Sequence, residues 1–138
     1  IKKFDPAVAK TARGALAKLR THAKGACELV YDNYNALAIG FAPAEKAGAA
    51  ILSIALYPKW VTLFFLQGKG LADPHGLLQG SGARVRHIVL EGGAVDVDRP
   101  AVRALIRQAL KNAKQPLVPT QRRRLIIKSV SKKQRPRR

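Results

Sequence analysis

Residues 80–84, Gly-Ser-Gly-Ala-Arg, have the composition of an anion-binding turn. Glycines let backbone N–H groups converge on an anion, and here a hydroxyl and a guanidinium stand beside them. We expect two lysines to lie at the same end of the sheet. The sequence thus predicts a phosphate or carboxylate site lined by Lys59, Lys69, Ser81 and Arg84. The alternative is that the glycines only let the chain turn back and that these cations are solvated.

The second candidate is the segment of residues 114–138, which holds ten Lys and Arg residues and neither Asp nor Glu. Such a segment neutralises phosphates with a steep salt dependence, and its composition is typical of a flexible arm. The predicted nucleic-acid contacts are Arg122, Arg123, Arg124, Lys128, Lys132 and Lys133. Trp60, at a predicted hairpin tip, is an exposed candidate for base stacking, whereas the other aromatic residues are expected in the core. The alternative is a solvated extension that keeps the protein soluble.

Other site chemistries find little support in the residue pattern. Cys27 is the only cysteine, which rules out an intramolecular disulfide and a thiolate-rich metal site, and it is expected to be a small core residue. The three histidines lack metal-ligand spacing, and phosphate-loop, dinucleotide and nucleophile-elbow motifs are absent. We therefore assign no catalytic residue, metal ligand or cofactor, and enzymatic activity stays an open alternative.

Length and composition favour one folded domain. The chain has 138 residues, 47% of them hydrophobic, and a formal net charge of +18. That charge attracts polyanions such as nucleic acid. The longest apolar run, residues 60–66, has the length of a strand, so we expect no membrane span. The single cysteine favours a reducing setting, so we expect a cytoplasmic location. Because the chain begins at Ile1 and lacks Met, we expect that the natural start has been removed or lies outside this sequence.

Two helices and about five strands are predicted to position these residues. Asp5 and Pro6 are expected to start a helix that ends near residue 21, and Asp98 is expected to cap another that ends near residue 113. Alternating or continuous apolar patterns predict strands at residues 28–31, 36–42, 51–56, 60–66 and 84–91. The intervening residues 43–50 and the glycine-rich residues 67–83 are predicted loops.

Three blocks in this order resemble the YdhG-like domain family of bacterial proteins. They are Ala-Leu-Tyr-Pro-Lys-Trp-Val-Thr-Leu-Phe-Phe at residues 55–65, Asp-Pro-His-Gly-Leu-Leu-Gln-Gly-Ser-Gly at residues 73–82, and Arg-His-Ile-Val-Leu with a following helix at residues 86–110. The resemblance covers about residues 5–113, so residues 114–138 are interpreted as a flexible extension. Residues 28–32, Glu-Leu-Val-Tyr-Asp, depart from the Ser-Tyr-Gly-x-Pro often found there in the family.

The resemblance implies a compact α+β sandwich, in which a twisted antiparallel sheet of about five strands carries the N- and C-terminal helices on one face. This arrangement is distantly similar to the frataxin and YjbR-like folds. Some relatives have been proposed as iron chaperones, which here would require Glu28, Asp32 and Asp73. The strong positive charge opposes cation binding, so this hypothesis ranks last. A small-ligand or anion-binding module ranks first and a nucleic-acid-binding protein second, and the oligomeric state stays open.

Overall fold

The computed structural model describes residue 1 and residues 3–137, which contain two α-helices and one six-stranded sheet. In chain order the elements are α1 (Pro6–His22), β1 (Cys27–Asp32), β2 (Leu37–Ala42), β3 (Leu52–Leu56), β4 (Val61–Phe65), β5 (Arg86–Val89), α2 (Pro100–Asn112) and β6 (Arg124–Val130). Short 3-10 helices lie at Ala47–Ala49, Gly68–Gly70 and Ala94–Asp98. Neither α-helix of these described residues is long and apolar enough to cross a membrane.

The strands lie in the order β5-β4-β3-β2-β1-β6. The first five pair with their neighbours in antiparallel fashion, while β6 runs parallel to β1. The predicted α+β class is confirmed. About five antiparallel strands were expected, but the sheet has six strands and is mixed. The additional strand is β6, which the arginine-rich segment adds at the edge in parallel with β1.

One face of the sheet carries the main core. Alternate residues of the central strands point toward the helices, so Ile39, Ile54 and Leu63 are buried together. The helices contribute Leu19 and Ile106 to the same cluster. This packing follows from the two periodicities, since every second strand residue and one stripe of each helix are apolar.

The predicted start of the first helix at Asp5 and Pro6 is confirmed, whereas the predicted cap of the second helix at Asp98 is wrong. Asp5 occupies the N-cap position of α1, but its carboxylate makes no capping hydrogen bond and accepts one from Lys59 instead. Asp98 lies in the preceding 3-10 helix, with Arg99 at the N-cap of α2. Its carboxylate pairs with Lys18 of α1. In a chain with this excess of cations, an ion pair competes with capping for the carboxylates.

The segment that was predicted to be a flexible extension contains β6. Its strand pairs with β1 over the whole length of both, and Ile126 packs against a small cluster formed by Cys27, Leu29 and Ala42. Of the Leu-Ile-Ile run at residues 125–127, Ile126 supplies the apolar contact to the sheet, while Leu125 and Ile127 are exposed. Arg138 lies outside the described residues, and the division of the chain near residue 113 stays a prediction.

Candidate ligand-binding groove

The predicted anion site is assembled only in part. Lys69 and Arg84 lie together at one end of the sheet, where the backbone N–H of Lys69 donates to the carbonyl oxygen of Arg84 at 3.0 Å. Gly68 makes this approach possible, because a Cβ atom there would stand 2.5 Å from the Cβ of Arg86. Ser81 is exposed in the loop before β5. Three of the four predicted residues therefore belong to one region.

Arg86 is the cation of this region that the sequence analysis did not single out. Its guanidinium donates to the carbonyl oxygens of Gly82, at 2.7 Å, and Val85, at 2.8 Å. These bonds hold the loop of residues 80–86 around a positive charge. Gly80 adopts a φ of +117°, which favours glycine over other residues.

Lys59 lies elsewhere. It belongs to the turn before β4, whereas Lys69 follows the end of β4, so the whole strand separates the two residues. The Lys59 ammonium forms a salt bridge of 2.9 Å with Asp5. The expected convergence of Lys59 with the other three residues is therefore not found. The prediction was wrong because Lys59 and Lys69 flank opposite ends of the same strand, β4.

The face of the sheet opposite the helices contains a groove of 640 Å³. Its floor consists of small residues from the two central strands, Ala38 of β2 and Ser53 and Ala55 of β3. The far part of this face is covered by the loop of residues 43–50. At Gly40, a Cβ atom would already stand 3.3 Å from the Cβ of Ala50.

Aromatic rings form the walls of the groove. Tyr57 and Trp60 stack with ring centroids 4.7 Å apart and planes 14° apart, and Phe64 continues this wall along β4. Tyr34 stands in the turn between β1 and β2 and also lines the groove. Trp60 is 45% exposed and Tyr34 52% exposed. The predicted exposure of Trp60 is confirmed, while the assignment of Tyr34 to the core is wrong.

The basic segment after β6 completes the rim of the groove. Arg135 lines it, and its backbone N–H donates to the carbonyl oxygen of Tyr34 at 2.8 Å. Arg137 is buried, with its guanidinium 2.8 Å from the Asp32 carboxylate, 2.6 Å from the carbonyl oxygen of Asn33 and over the ring of Phe4. Arg137 therefore anchors the segment to the turn that presents Tyr34.

The six predicted nucleic-acid contacts are exposed and lie on or next to the edge strand. Arg124 pairs with Glu45, and Lys128 donates to the carbonyl oxygen of the same residue at 3.0 Å. Arg123 lies 3.6 Å from the Glu28 carboxylate. The other three project from the flanks of β6, and they are Arg122, Lys132 and Lys133.

Glu28 is a buried carboxylate, only 1% exposed, on the helix side of β1. Arg20 of α1 reaches it with two nitrogen atoms, at 2.9 and 2.8 Å. This hydrogen bonding raises the pKa of the Arg20 guanidinium, against the lowering effect of burial. The pair is a structural link between α1 and β1, since both oxygens of Glu28 are occupied.

The carboxylates considered for iron do not come together. Glu28 binds Arg20, Asp32 binds Arg137, and Asp73 accepts the backbone N–H groups of residues 77 and 78 at 2.9 Å. In residue 1 and residues 3–137, no group of three or more His, Cys, Asp or Glu side chains has the arrangement of a metal site. Cys27 is buried and accepts a hydrogen bond from Arg124 at 3.3 Å, a cation that its sequence neighbours do not reveal.

Comparison with family models, with curated proteins and with solved structures found no match to this chain. The resemblance of residues 5–113 to the YdhG-like family therefore stays a prediction from the three sequence blocks.

Proposed function

We propose that this protein is a non-enzymatic binding module and that its groove takes a small planar aromatic ligand carrying a phosphate or carboxylate. The observation that carries the proposal is the combination of a floor of small residues, walls of exposed aromatic rings and an arginine at the rim. Exposed aromatic rings around a hollow are typical of surfaces that stack a flat ring. Arg135 supplies the guanidinium that pairs with an oxyanion.

The groove offers a flat ring a floor of small residues between aromatic walls. Ala38 and Ala55 leave space between the wall of β4 and the turn that holds Tyr34, and Ser53 places a hydroxyl on the floor. Stacking on an aromatic side chain contributes about 1 to 3 kcal/mol per nucleobase. The net charge of +18 raises the local concentration of anions of any kind.

The lining residues also argue for binding without catalysis. None of the residues that line the groove is an Asp, Glu, His, Lys or Cys, so the usual general acids, general bases and strong nucleophiles are missing from this lining. A ligand held there would meet hydroxyl and amide groups, aromatic rings and one guanidinium. These groups suit the binding of a flat anionic ligand through stacking, hydrogen bonds and one ion pair.

Trp60 makes the test direct, because it is the only tryptophan of the chain. We expect adenosine monophosphate to change its fluorescence with saturation, and adenosine to do so at a concentration several-fold higher. Ribose 5-phosphate, which has the charge but lacks the ring, should change it little. Calorimetric titration of Trp60→Leu should show a loss of about tenfold or more in affinity, in line with the loss of one stacking partner.

A matched pair of variants isolates the role of the rim. Arg135→Gln should weaken the monophosphate several-fold and leave adenosine unchanged, whereas Arg122→Gln removes an equal charge away from the groove and should leave both unchanged. Equal binding of ribose 5-phosphate and adenosine monophosphate, or equal effects of the two variants, would contradict the proposal.

Nucleic-acid binding is the second candidate, and the observation that favours it is the position of Arg135 between the groove and the basic segment. A single strand placed along β6 would have phosphates near Lys132 and Lys133 and a base within reach of Trp60. Deleting residues 114–138 is an unsuitable test, because it would remove β6 and uncover β1.

Substitution of exposed cations is the cleaner experiment. Labelled single-stranded and double-stranded oligonucleotides are titrated across a salt series with the full chain and with a variant carrying Arg122→Gln, Lys132→Gln and Lys133→Gln. If these cations contact phosphates of a single strand, the slope of log affinity against log salt should fall by about 2. An unchanged slope would contradict this candidate.

A further inference from the structure

The outer edge of β6 ends the sheet. The strand is bonded to β1 on one side, and no further strand of the described residues pairs with it on the other. An edge of this kind presents backbone N–H and C=O groups that can receive another extended chain. The floor of the groove lies on β2 and β3, so the backbone edge of β6 is a different surface from the groove.

Three exposed apolar side chains form a stripe on the helix side of this strand. Leu125, Ile127 and Val130 are 57%, 64% and 61% exposed. Leu125 stands opposite Glu28 of β1, and Ile127 stands opposite Val30, both on the helix side of the sheet. An irregularity of register after Val30 adds one residue to β6 and brings Val130 back to this side.

No helix of the described residues covers the stripe, since all three side chains are more than half exposed, although α1 reaches the neighbouring strand β1 through Arg20 and Glu28. Large apolar side chains exposed in a row are unusual for a free surface and indicate a binding surface. A bound strand could therefore form hydrogen bonds with the backbone groups along the edge and apolar contacts with the stripe.

The charge around the stripe selects the partner. Residues 114–138 contain ten Lys and Arg residues and no acid, and Arg122, Lys132 and Lys133 flank the strand at its two ends. A second copy of this chain would bring the same positive charge against it. A partner with acidic residues would instead gain from the attraction at both ends.

From this edge, stripe and charge we infer that β6 binds an extended acidic peptide, which adds to the sheet as another strand. The peptide's backbone pairs with the outer edge of β6. Its apolar residues, at every second position, cover Leu125, Ile127 and Val130. Its acidic residues lie at its ends, beside the cations that flank β6.

The test uses a labelled peptide with valine at alternate positions and aspartate and glutamate at both ends, and it measures fluorescence anisotropy with the full chain at physiological salt. A peptide of equal charge with proline in place of each valine lacks N–H donors at those positions and should bind at least tenfold more weakly. Polyglutamate of equal charge should also bind at least tenfold more weakly. Equal binding of all three peptides would mean charge attraction alone and would overturn the inference.

Two substitutions at equally exposed valine and isoleucine positions locate the surface. Ile127→Ser should weaken the strand-forming peptide about tenfold, whereas Val95→Ser, at a position 65% exposed in the 3-10 helix before α2, should change its affinity less than twofold. Trp60 fluorescence and thermal unfolding verify that both variants fold. Equal affinities of the two variants would overturn the inference. Sedimentation completes the test: a dimer of the full chain that Ile127→Ser dissociates would identify the occupant as a second copy and overturn it too.

Discussion

The two faces of the central strands differ in the size of their side chains. Toward the helices, β3 places Leu52, Ile54 and Leu56, which are fully buried. On the other face the same strand places Ser53 and Ala55, which form the floor of the groove. Neighbouring residues of one strand therefore have separate tasks, since one face holds the fold together and the other leaves space.

This difference explains how a small domain can have an open groove without weakening its core. The space of the groove comes from small residues on a face that the helices do not cover, so no large side chain has been removed from the packed interior. The aromatic residues at its sides, Trp60 and Phe64, restore some apolar contact beside the open floor. Stability and ligand binding should accordingly respond to different substitutions.

The largest effect is expected from Ile54→Ala. It removes a fully buried side chain from the main core and should lower the free energy of unfolding by about 3 to 4 kcal/mol. Ser53→Ala, one position away on the other face, should change it by less than about 0.5 kcal/mol. Urea denaturation of both variants measures the contrast. Similar losses for the two variants would mean that the two faces are not distinct in energy.

The next largest effect on stability is expected from the ion pair between Arg20 and Glu28. Arg20→Ala leaves the buried Glu28 carboxylate with Arg123 alone, at 3.6 Å, and should cost about 2 to 3 kcal/mol of unfolding free energy. Adding Glu28→Gln to this variant removes the unpaired charge and should recover part of the loss. Urea denaturation of the single and double variants gives both values. A double variant less stable than Arg20→Ala would show that the charge itself is not the cause.

The smallest effect is a dependence on pH. Burial lowers the pKa of His22 below 6.5, its value in an unfolded chain, with Arg103 and Arg107 acting in the same direction and Asp98 opposing them. The folded state thus disfavours the protonated ring, so stability should fall as the pH drops below about 6.5. His22→Gln should flatten this part of the profile of melting temperature against pH. Because His22 lies at the end of α1, affinity in the groove should be the same for this variant and the natural chain at pH 7.

Much of the architecture could be predicted from the sequence. Alternating apolar residues and the Tyr-Pro-Lys-Trp turn located β3 and β4, and the apolar stripes of α1 and α2 located the helices. The strand β6 was not predicted, because three arginines precede its short apolar run. Local sequence also does not indicate where a parallel partner strand lies. Its neighbour β1 is distant in sequence, and pairing of this kind is decided by tertiary contact.

The candidate site was less accessible to prediction. The loop cations Lys69 and Arg84 were located by glycine content, but the position of Lys59 depends on strand direction. The groove itself has no local motif. Small residues such as Ala38 and Ala55 look like ordinary strand positions, and the exposure of Tyr34 follows from a turn that Arg137 holds from more than a hundred positions away.

The parallel pairing of β1 and β6 also sets the order in which the molecule can be completed. Cys27 and Arg124, which face each other at the start of the two strands, stand 97 positions apart. A ribosome releases β1 long before β6 has been made, so during synthesis β1 is the exposed margin of a five-stranded sheet. Closing so long a loop comes late in folding. Until then, the backbone N–H and C=O groups along the outer side of β1 are open to pairing with other extended chains.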